Sequence, residues 1–574
     1  MKKLNKLKIW ATAATLFWLG GTSCTKLDVK TYSVIPSSTF WQNPTEIAEG
    51  KAPAYAQLAQ VVGHNGYGNE VEISSDEQVY PTRGSDWYDG GQWGRIYFHT
   101  YLPSDVDGNL NGVWSSLFSG AGNCNFVIYT LNNLTTPDPT LQADLAEMVA
   151  LRSYYYYLAM DLWGNIPYVT NFKVDPSTVT NLPRAQVFDS IETNLKAVIP
   201  YLPTNVDVST YGKVTKYFAY SLLARMYLNA KVYTGKDRSA DCKAMCDAII
   251  SSGSYALDAS YYNPFYGANN TNTRENIFVV PESSNGLIAG NGQIQANIEF
   301  NSALTFGIPC CGFGNNGSST THDFYSLYDT ASTYAWDVAT INGRKVTRML
   351  RTFNDQRTGQ WLIGQQFQGD GITNYPPDKN WVVATSDYCC TYNGDTSVSN
   401  TTQIGDFYNG IYTPVVIYDT MNQFSNPAGY FRHAGVRNVK YWPQPGPSNG
   451  AMSNAYVVFR LADIYLMRAE AEYNLGMTGP ALDDVNIVRT RAYNGSTAYN
   501  WKASDLTGAN ILAERGRELA YENVRRTDLV RFGLYTKAQN YPPKPADPDD
   551  HTILLPIPVN QLNTNKNLKQ NPGY

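Results

Sequence analysis

PTLQADLAEMVALRSYYYYLAMDL, residues Pro139–Leu162, decides the fold class. Leu141, Leu145, Met148, Leu151, Tyr155, Leu158 and Leu162 recur at steps of three and four, the period of an α-helix. Thr136 or Asp138 is placed to cap its start. Gly164 and Pro167 are placed to end it. Tyr154, Tyr155, Tyr156 and Tyr157 point around such a helix in all directions. A helix apolar on every side must be covered on most sides, as an inner member of a multi-helix array.

The same period continues on both sides. Thr39–Gln60, Gly112–Leu131, Arg184–Tyr201, Thr215–Tyr233 and Asp241–Ser251 read as helices. Short links make neighbouring helices antiparallel. YSLLARMYLNA (Tyr220–Ala230) with the helix after it resembles a tetratricopeptide-like pair, in which small residues let helices approach closely. Helical signal returns at Ala455–Leu475, Pro480–Arg491 and Asn510–Tyr521. The last of these carries Glu514, Arg515, Arg517, Glu518 and Glu522, with Arg525, Arg526, Asp528 and Arg531 just beyond. A charge run is usually a solvated face. Some of these charges alternate with Leu and Val, so part of the set is expected as buried pairs that fix how the last helices dock. Between residues 255 and 454 the helical period is lost, and Gly, Asn, Ser, Thr and Pro are dense. Short β-like runs such as Asn276–Val280 and Thr413–Tyr418 stand in this stretch, which reads as a loop-rich insertion with a few helices and strands. The fold class is therefore mainly α, a helical scaffold (39–254 and 455–574) interrupted by a loop-rich part (255–454).

Apolar content of 43% with 16% charge suits a globular chain with a sizeable core. The formal net charge is −5, and no basic stripe appears, which argues against nucleic acid as partner. Lys2, Lys3, Lys6 and Lys8, the apolar run Ile9–Leu19 and the small residues Gly20–Ser23 form an export signal over residues 1–23. Cys24 follows directly and resembles a bacterial lipoprotein processing site, with Gly21 where the usual motif has Leu. Lipidation at Cys24 would anchor the chain to a membrane, with residues 24–38 as a polar tether. Of the other cysteines, Cys310, Cys311, Cys389 and Cys390 form two adjacent pairs that cross-link with one another or close as vicinal bridges. Cys242 and Cys246 sit four apart on a helix, as buried thiols or as a bond. The five His residues are scattered, and no zinc spacing is present.

One loop stands out. Glu77–Leu102 reads EQVYPTRGSDWYDGGQWGRIYFHTYL, and neither a helix nor a strand is written there, because its Pro and Gly residues forbid a long regular element. Arg83, Asp86, Trp87, Tyr88 and Trp93 place flat apolar rings beside hydroxyl-bonding groups. Sugars present C–H faces and hydroxyl edges, and an aromatic face carries the complementary negative charge. The bland reading is that two or three of these rings fill the loop's own interior. Phe306, Phe313, Trp361, Trp381 and Tyr388 in the insertion are weaker candidates for the same task, each also a natural core residue. Catalysis finds less support. Gly312, Gly314 and Gly317 spell GxGxxG without a strand–helix frame, and no HExxH, Walker A or G-x-S-x-G motif occurs. Asp86 and Asp89 are a carboxylate pair of the kind a glycosidase needs, but pair spacing is not written in sequence. A plain scaffolding protein would leave the aromatic loop unexplained.

RLADIYLMRAEAEYNLG (Arg460–Gly476), ALDDVNIVRTRA (Ala481–Ala492), ILAERGRELAYENVRRTDLVRFG (Ile511–Gly533) and LLPIPVNQLNTNKNLKQNPGY (Leu554–Tyr574) stand in order. With LRSYYYYLAMDLWGNIPYV (Leu151–Val169) and the aromatic loop, this set resembles the SusD/RagB family of lipidated outer-membrane binding proteins. The likeness runs over nearly the whole chain after Cys24, and the 255–450 stretch departs most. It implies one SusD-like domain over 39–574, tetratricopeptide-like helix pairs, and a surface-exposed lipoprotein at the outer membrane. It further implies capture of oligosaccharide or polysaccharide for a SusC-like TonB-dependent transporter, or of peptide in the RagB branch, with no reaction catalysed. No cofactor or metal-ligand set is read from the residues; Asp and Asn are abundant enough for bound calcium, but no EF-hand spacing occurs. The C-terminal hallmark blocks are scaffold in this reading.

Overall fold

The fold is that of a computed structural model. It describes residues 40–574, apart from 64–65, 83–86, 105–108, 135–140, 267–272, 283–296, 298–314, 316, 330–331, 342–343, 363, 366–382, 385–404, 409–410, 415, 418–434, 443–451 and 541. The signal segment, the tether, Cys24, the cap candidates Thr136 and Asp138, and both adjacent cysteine pairs lie outside the described residues. The chain divides into a unit ending at Gly50 and a unit from Lys51 to Tyr574. In the first, Trp41 is buried and its ring occupies the space a side chain at Gly50 would need.

The main helices are α1 (Pro44–Val62), α2 (Tyr67–Ile73), α3 (Gln92–Tyr97), α4 (Asn109–Asn132), α5 (Leu141–Trp163), α6 (Arg184–Val198), α7 (Lys216–Leu228) and α8 (Ser239–Ile250). After the insertion come α9 (Leu461–Asn474), α10 (Thr478–Ala492), α11 (Gly508–Leu519) and α12 (Arg525–Arg531). Successive helices pack as pairs: α4 on α5, α5 on α6, α7 on α8, then α8 on α9 and α9 on α10. This is the tetratricopeptide-like array expected from the periodicity, and the helices on either side of the insertion join in one stack.

Helix α5 is the inner member. Tyr154, Tyr155, Tyr156 and Tyr157 are 5%, 0%, 3% and 2% exposed. Buried phenols need partners. Tyr155 donates to the Ala54 carbonyl at 2.6 Å and Tyr156 to the Val169 carbonyl at 2.6 Å. Gly120 on α4 faces the Tyr155 ring, and a Cβ there would lie 2.4 Å from it, so glycine sets the α4–α5 approach. The closing segment wraps the end of α5. Trp163 Nε1 donates to the Pro556 carbonyl at 3.0 Å, and Asn571 Nδ2 donates to the Trp163 carbonyl at 3.0 Å.

Three expectations change, and strands expected in the insertion run longer than the short runs read there. Ala455–Leu475 is not one helix: its start is strand Tyr456–Arg460, which pairs antiparallel with Asn276–Val280. The β-branched and aromatic run YVVFR prefers that pairing. Thr215–Tyr233 ends its first helix at Leu228, and Asn229 opens a separate short turn of helix, Ala230–Thr234. Glu77–Leu102 does contain a helix, the short α3, which starts after left-handed Gly91. The insertion holds a hairpin of two ten-residue strands, Ser332–Ile341 and Arg344–Phe353. Asn342-Gly343 between them is a hairpin dipeptide that the loop-rich composition overshadows. Cys124, Cys242 and Cys246 are buried free thiols.

The charge run is largely interior. Arg460 Nη1 donates to Glu275 Oε1 at 2.8 Å and to Glu518 Oε1 at 2.7 Å, while its Nε donates to Glu522 Oε2 at 2.8 Å. Arg491 bonds Glu275 at 2.8 Å and also pairs with Glu518. Arg357 bonds Asp355 and reaches Glu514 at 2.8 Å, and Arg489 reaches Glu514 at 2.7 Å. Lys440 pairs with Glu522 and donates to the Ala520 carbonyl at 2.7 Å. A second set docks α12. Arg515 bonds Asp528 at 2.8 Å, Arg531 bonds Glu470 at 2.5 Å, and Arg525 bonds both oxygens of Asp76 at 2.7 Å.

Burial alone would raise the Glu518 carboxyl, but Arg491, Arg460 and Arg357 overcome it and hold it near 2. Because the folded value is depressed, this stabilisation is present above the ordinary glutamate value and is lost as pH falls through about 2. Glu518→Ala takes one carboxylate partner from each of three buried guanidinium groups, Arg460, Arg491 and Arg357, and is expected to cost about 3–5 kcal/mol in urea unfolding at pH 7. The deficit relative to wild type should shrink as the pH is lowered from 5 towards 2.

Candidate ligand-binding site

The aromatic loop folds into a layered platform. Glu77 leads into a two-residue strand, Gln78–Val79, which pairs antiparallel with Ser319–Thr320 from the insertion. Tyr80 follows and is fully buried. Its ring stacks on Trp93 with centroids 4.7 Å apart and planes at 21°. Trp87 lies across both, 5.1 Å from Tyr80 and 6.2 Å from Trp93. The Trp87 indole donates to the Asn315 carbonyl at 2.8 Å, so the insertion holds it from the far side.

The backbone places these rings by unusual means. Trp87 and Asp89 are left-handed at φ 61° and 42°, and Gly90 and Gly91 follow at 64° and 80°. Such conformations are costly for side-chain-bearing residues and tend to mark functional loops. They turn the chain so that Trp93, on the first turn of α3, points inward. Its Nε1 donates to Asp89 Oδ2 at 2.7 Å, and Arg95 Nη1 donates to the Gly90 carbonyl at 2.7 Å. Gly317 completes the fit: a Cβ there would lie 2.7 Å from Trp87 and 2.8 Å from Tyr80. This glycine, which the sequence offers as the last of a GxGxxG, makes room for two rings.

The sequence candidates therefore separate. Trp93 is 2% exposed and is the base of the platform. Trp87 is half-buried, with one side against Tyr80 and Gly317. Tyr88 projects, 60% exposed, beside exposed Asp89. Trp361 is corrected to a core residue: it is 0% exposed, enclosed by Phe324, Tyr325, Tyr328 and Tyr521. Arg83, Asp86, Phe306, Phe313, Trp381 and Tyr388 lie outside the described residues. Tyr80 is a residue that the sequence reading did not single out for the site, and Asp89 was weighed there as half of a carboxylate pair with Asp86 and not as a ligand contact. Their signal was present, since both sit in the same aromatic stretch.

Past the platform the chain is fastened at His99, which sits between Asp547 Oδ2 at 2.7 Å and the Ser74 carbonyl at 2.6 Å, under the Tyr535 ring. A separate groove of about 380 Å³ runs between the loop at Val206–Thr215 and the stretch Thr273–Val279. Tyr211, Tyr255 and Arg274 are in its walls. Among the described residues no cluster of three His, Cys, Asp or Glu could hold a metal ion, and no helix is long and apolar enough to cross a membrane.

The layering gives a differential expectation. Trp93→Ala removes a buried indole and should cost about 3–5 kcal/mol. Tyr88→Ala, at an exposed position, should stay within about 0.5 kcal/mol of wild type. Thermal melts of the two variants check this order.

Known proteins share both the sequence pattern and the fold. The model described as "SusD family" matches residues 312–574, and the model described as "Starch-binding associating with outer membrane" matches residues 27–228. Starch-binding protein SusD of Bacteroides thetaiotaomicron is 26% identical over 471 residues, which is 78% of this chain and 76% of that protein. Among solved structures, a laminarin-binding SusD-like protein superposes with a TM-score of 0.65 at 20% identity, over 93% of this chain and 100% of the other. Surface glycan-binding protein A from Bacteroides thetaiotaomicron, in complex with laminarihexaose, gives 0.63 at 19% identity, over 92% and 99%. With both ends of the chain matched and the helical fold shared, the protein belongs to the SusD/RagB family.

Proposed function

We propose that this protein captures oligosaccharides at the outer membrane on the aromatic platform, with Trp87 and Tyr88 as the ring faces and Asp89 as a hydroxyl acceptor. The observation that carries this reading is the exposed Tyr88 beside a half-buried Trp87, which packs on the buried rings of Tyr80 and Trp93. A rigid aromatic face loses little entropy on binding, and its charge distribution favours sugar C–H groups. The relatives supply the ligand class: those named for a ligand are named for starch, laminarin or laminarihexaose. These names favour sugar over the peptide alternative. Binding without turnover is the activity proposed: the relatives above are named for binding starch and glycans, and ring faces hold a sugar without acting on it.

Anchoring by a lipid at Cys24 and delivery to a SusC-like TonB-dependent transporter complete the proposal, and both rest on the resemblance. Arg83 and Asp86 remain proposed contacts from the same loop, and Phe306, Phe313, Trp381 and Tyr388 proposed contacts from the insertion.

Calorimetry of the soluble chain from Thr25 onward against a panel of plant and host glycans is the test. One glycan class is expected to bind, and Trp87→Ala and Tyr88→Ala should each weaken it about tenfold, the equivalent of ~1.4 kcal/mol. Binding of peptides alone would overturn the ligand class. For the anchor, Cys24→Ala should release the full chain from membranes on fractionation. Unchanged retention would remove the lipidation claim.

A further inference from the structure

Two buried carboxyl groups stand next to the platform in the chain, and the proposed binding chemistry uses neither. Glu72 is on the last turn of α2, and Glu77 leads into Gln78–Val79. Both are buried. One oxygen of each is committed to the same turn of the C-terminal scaffold. Glu72 Oε1 accepts from the Asn523 backbone N–H at 2.5 Å, and Glu77 Oε1 accepts from the Tyr521 backbone N–H. Tyr521 and Asn523 are themselves left-handed, at φ 58° and 60°, so this turn is held in an unfavourable conformation by what it touches.

The remaining oxygen of each, Oε2, is buried and receives no N–H or O–H among the described residues. Ionised carboxylates only accept. The two carboxyls also act on one another, and a buried pair of acceptors short of donors is relieved by holding a proton.

We propose that Glu72 and Glu77 share a proton and act as a pH-released fastening that positions the aromatic platform on the C-terminal scaffold. The proposal rests on the reading of that platform as the ligand site. Only Gln78 and Val79 separate Glu77 from Tyr80, the ring on which Trp93 and Trp87 rest. The Glu77 carbonyl also accepts from Thr320 Oγ1 at 2.8 Å, so Glu77 joins the turn, the insertion strand and the platform. If the last shared proton leaves, two anions face each other in a buried site, and Glu77 must move.

The charged groups facing the pair are Lys440 and Glu522 on the Glu72 side and Arg525 on the Glu77 side. Neither cation is available to neutralise it. Lys440 is engaged by Glu522 and the Ala520 carbonyl, and Arg525 by both oxygens of Asp76. The phenols of Tyr328, Tyr441, Tyr456 and Tyr521 also feel the pair and stay neutral, because burial raises all four. Burial raises Glu72 to about 7 and Glu77 well above its ordinary value, with Glu72 pushing Glu77 further. Two such carboxyls titrate as a unit. Their folded values are raised, so their stabilisation is complete below the ordinary glutamate value and drains as pH rises through about 7 and beyond.

Hydrogen exchange followed by mass spectrometry, corrected for intrinsic rates, tests this on the full chain without ligand. Between pH 6 and pH 9 the peptide covering 78–97 should lose protection in wild type, while a peptide within Leu141–Trp163 should not. Glu72→Gln keeps the acceptor for Asn523 and adds an amide donor towards Glu77, so its 78–97 protection should be the same at both pH values. Glu77→Gln should behave likewise if the first variant does not fold. Equal protection of 78–97 in wild type at pH 6 and 9, or the same loss in a folded Gln variant, would overturn the fastening. Glycan calorimetry at pH 6 separates the two proposals: no binding there sinks the ligand reading and leaves the exchange result standing.

Discussion

Everything in the described part of the insertion depends on one constraint, that a guanidinium group cannot be buried alone. Arg460 has no exposure and is met by Glu275, Glu518 and Glu522. Its partners come from distant parts of the chain, and theirs do too: Arg491 from α10, Lys440 from the end of the insertion, and Arg357 through Glu518 and Glu514. An unpaired ion in this interior would cost several kcal/mol, whereas a completed network is close to neutral against apolar packing. The network is thus a specification of which segments meet more than a reservoir of stability. It suits an insertion with little periodic apolar pattern to say where it belongs.

From that base the order reaches the platform by short steps. The turn at Tyr521 and Asn523 follows the network's own helix, and it holds Glu77 and Glu72. Glu77 leads to Tyr80, and Tyr80 carries Trp93 and Trp87. The strand pair 78–79 with 319–320 brings Gly317 and Asn315 to the same place, so the scaffold and the insertion each supply one side of the ring stack. Among the described residues the outward surface is one face of Trp87, the ring of Tyr88 and the carboxylate of Asp89. Rigidity beneath such a surface would suit the ligand capture proposed, since little entropy is left to lose on binding.

The helical scaffold was legible because a long apolar stripe of period 3.6 suits a half-covered helix and little else, and Leu141–Leu162 is the clearest case. The tyrosine run said correctly that α5 is enclosed. The charge run said that some pairs are buried, since charges alternating with Leu and Val cannot all face water, but not which. Strand Tyr456–Arg460 was hidden because its run joins a strong helix without a break, and its partner, Asn276–Val280, is remote in the sequence. The site was half legible. Trp87, Trp93 and Trp361 look the same in sequence, because a core ring and a ligand ring use the same chemistry. Only packing distinguishes them: Trp361 is walled in by four aromatics, Trp93 is covered by its neighbours, and Trp87 keeps a side towards solvent. Gly317 carried a misleading motif, and its role as space for two rings exists only in three dimensions.

The most direct test of the platform as ligand site is a crystal structure of the protein with the oligosaccharide it binds best. The predicted result is a sugar ring with its C–H face against Trp87 or Tyr88, at a carbon–carbon separation of about 4 Å, and a hydroxyl bonded to Asp89. A sugar seated in the Tyr211–Arg274 groove, with the platform bare, would contradict it.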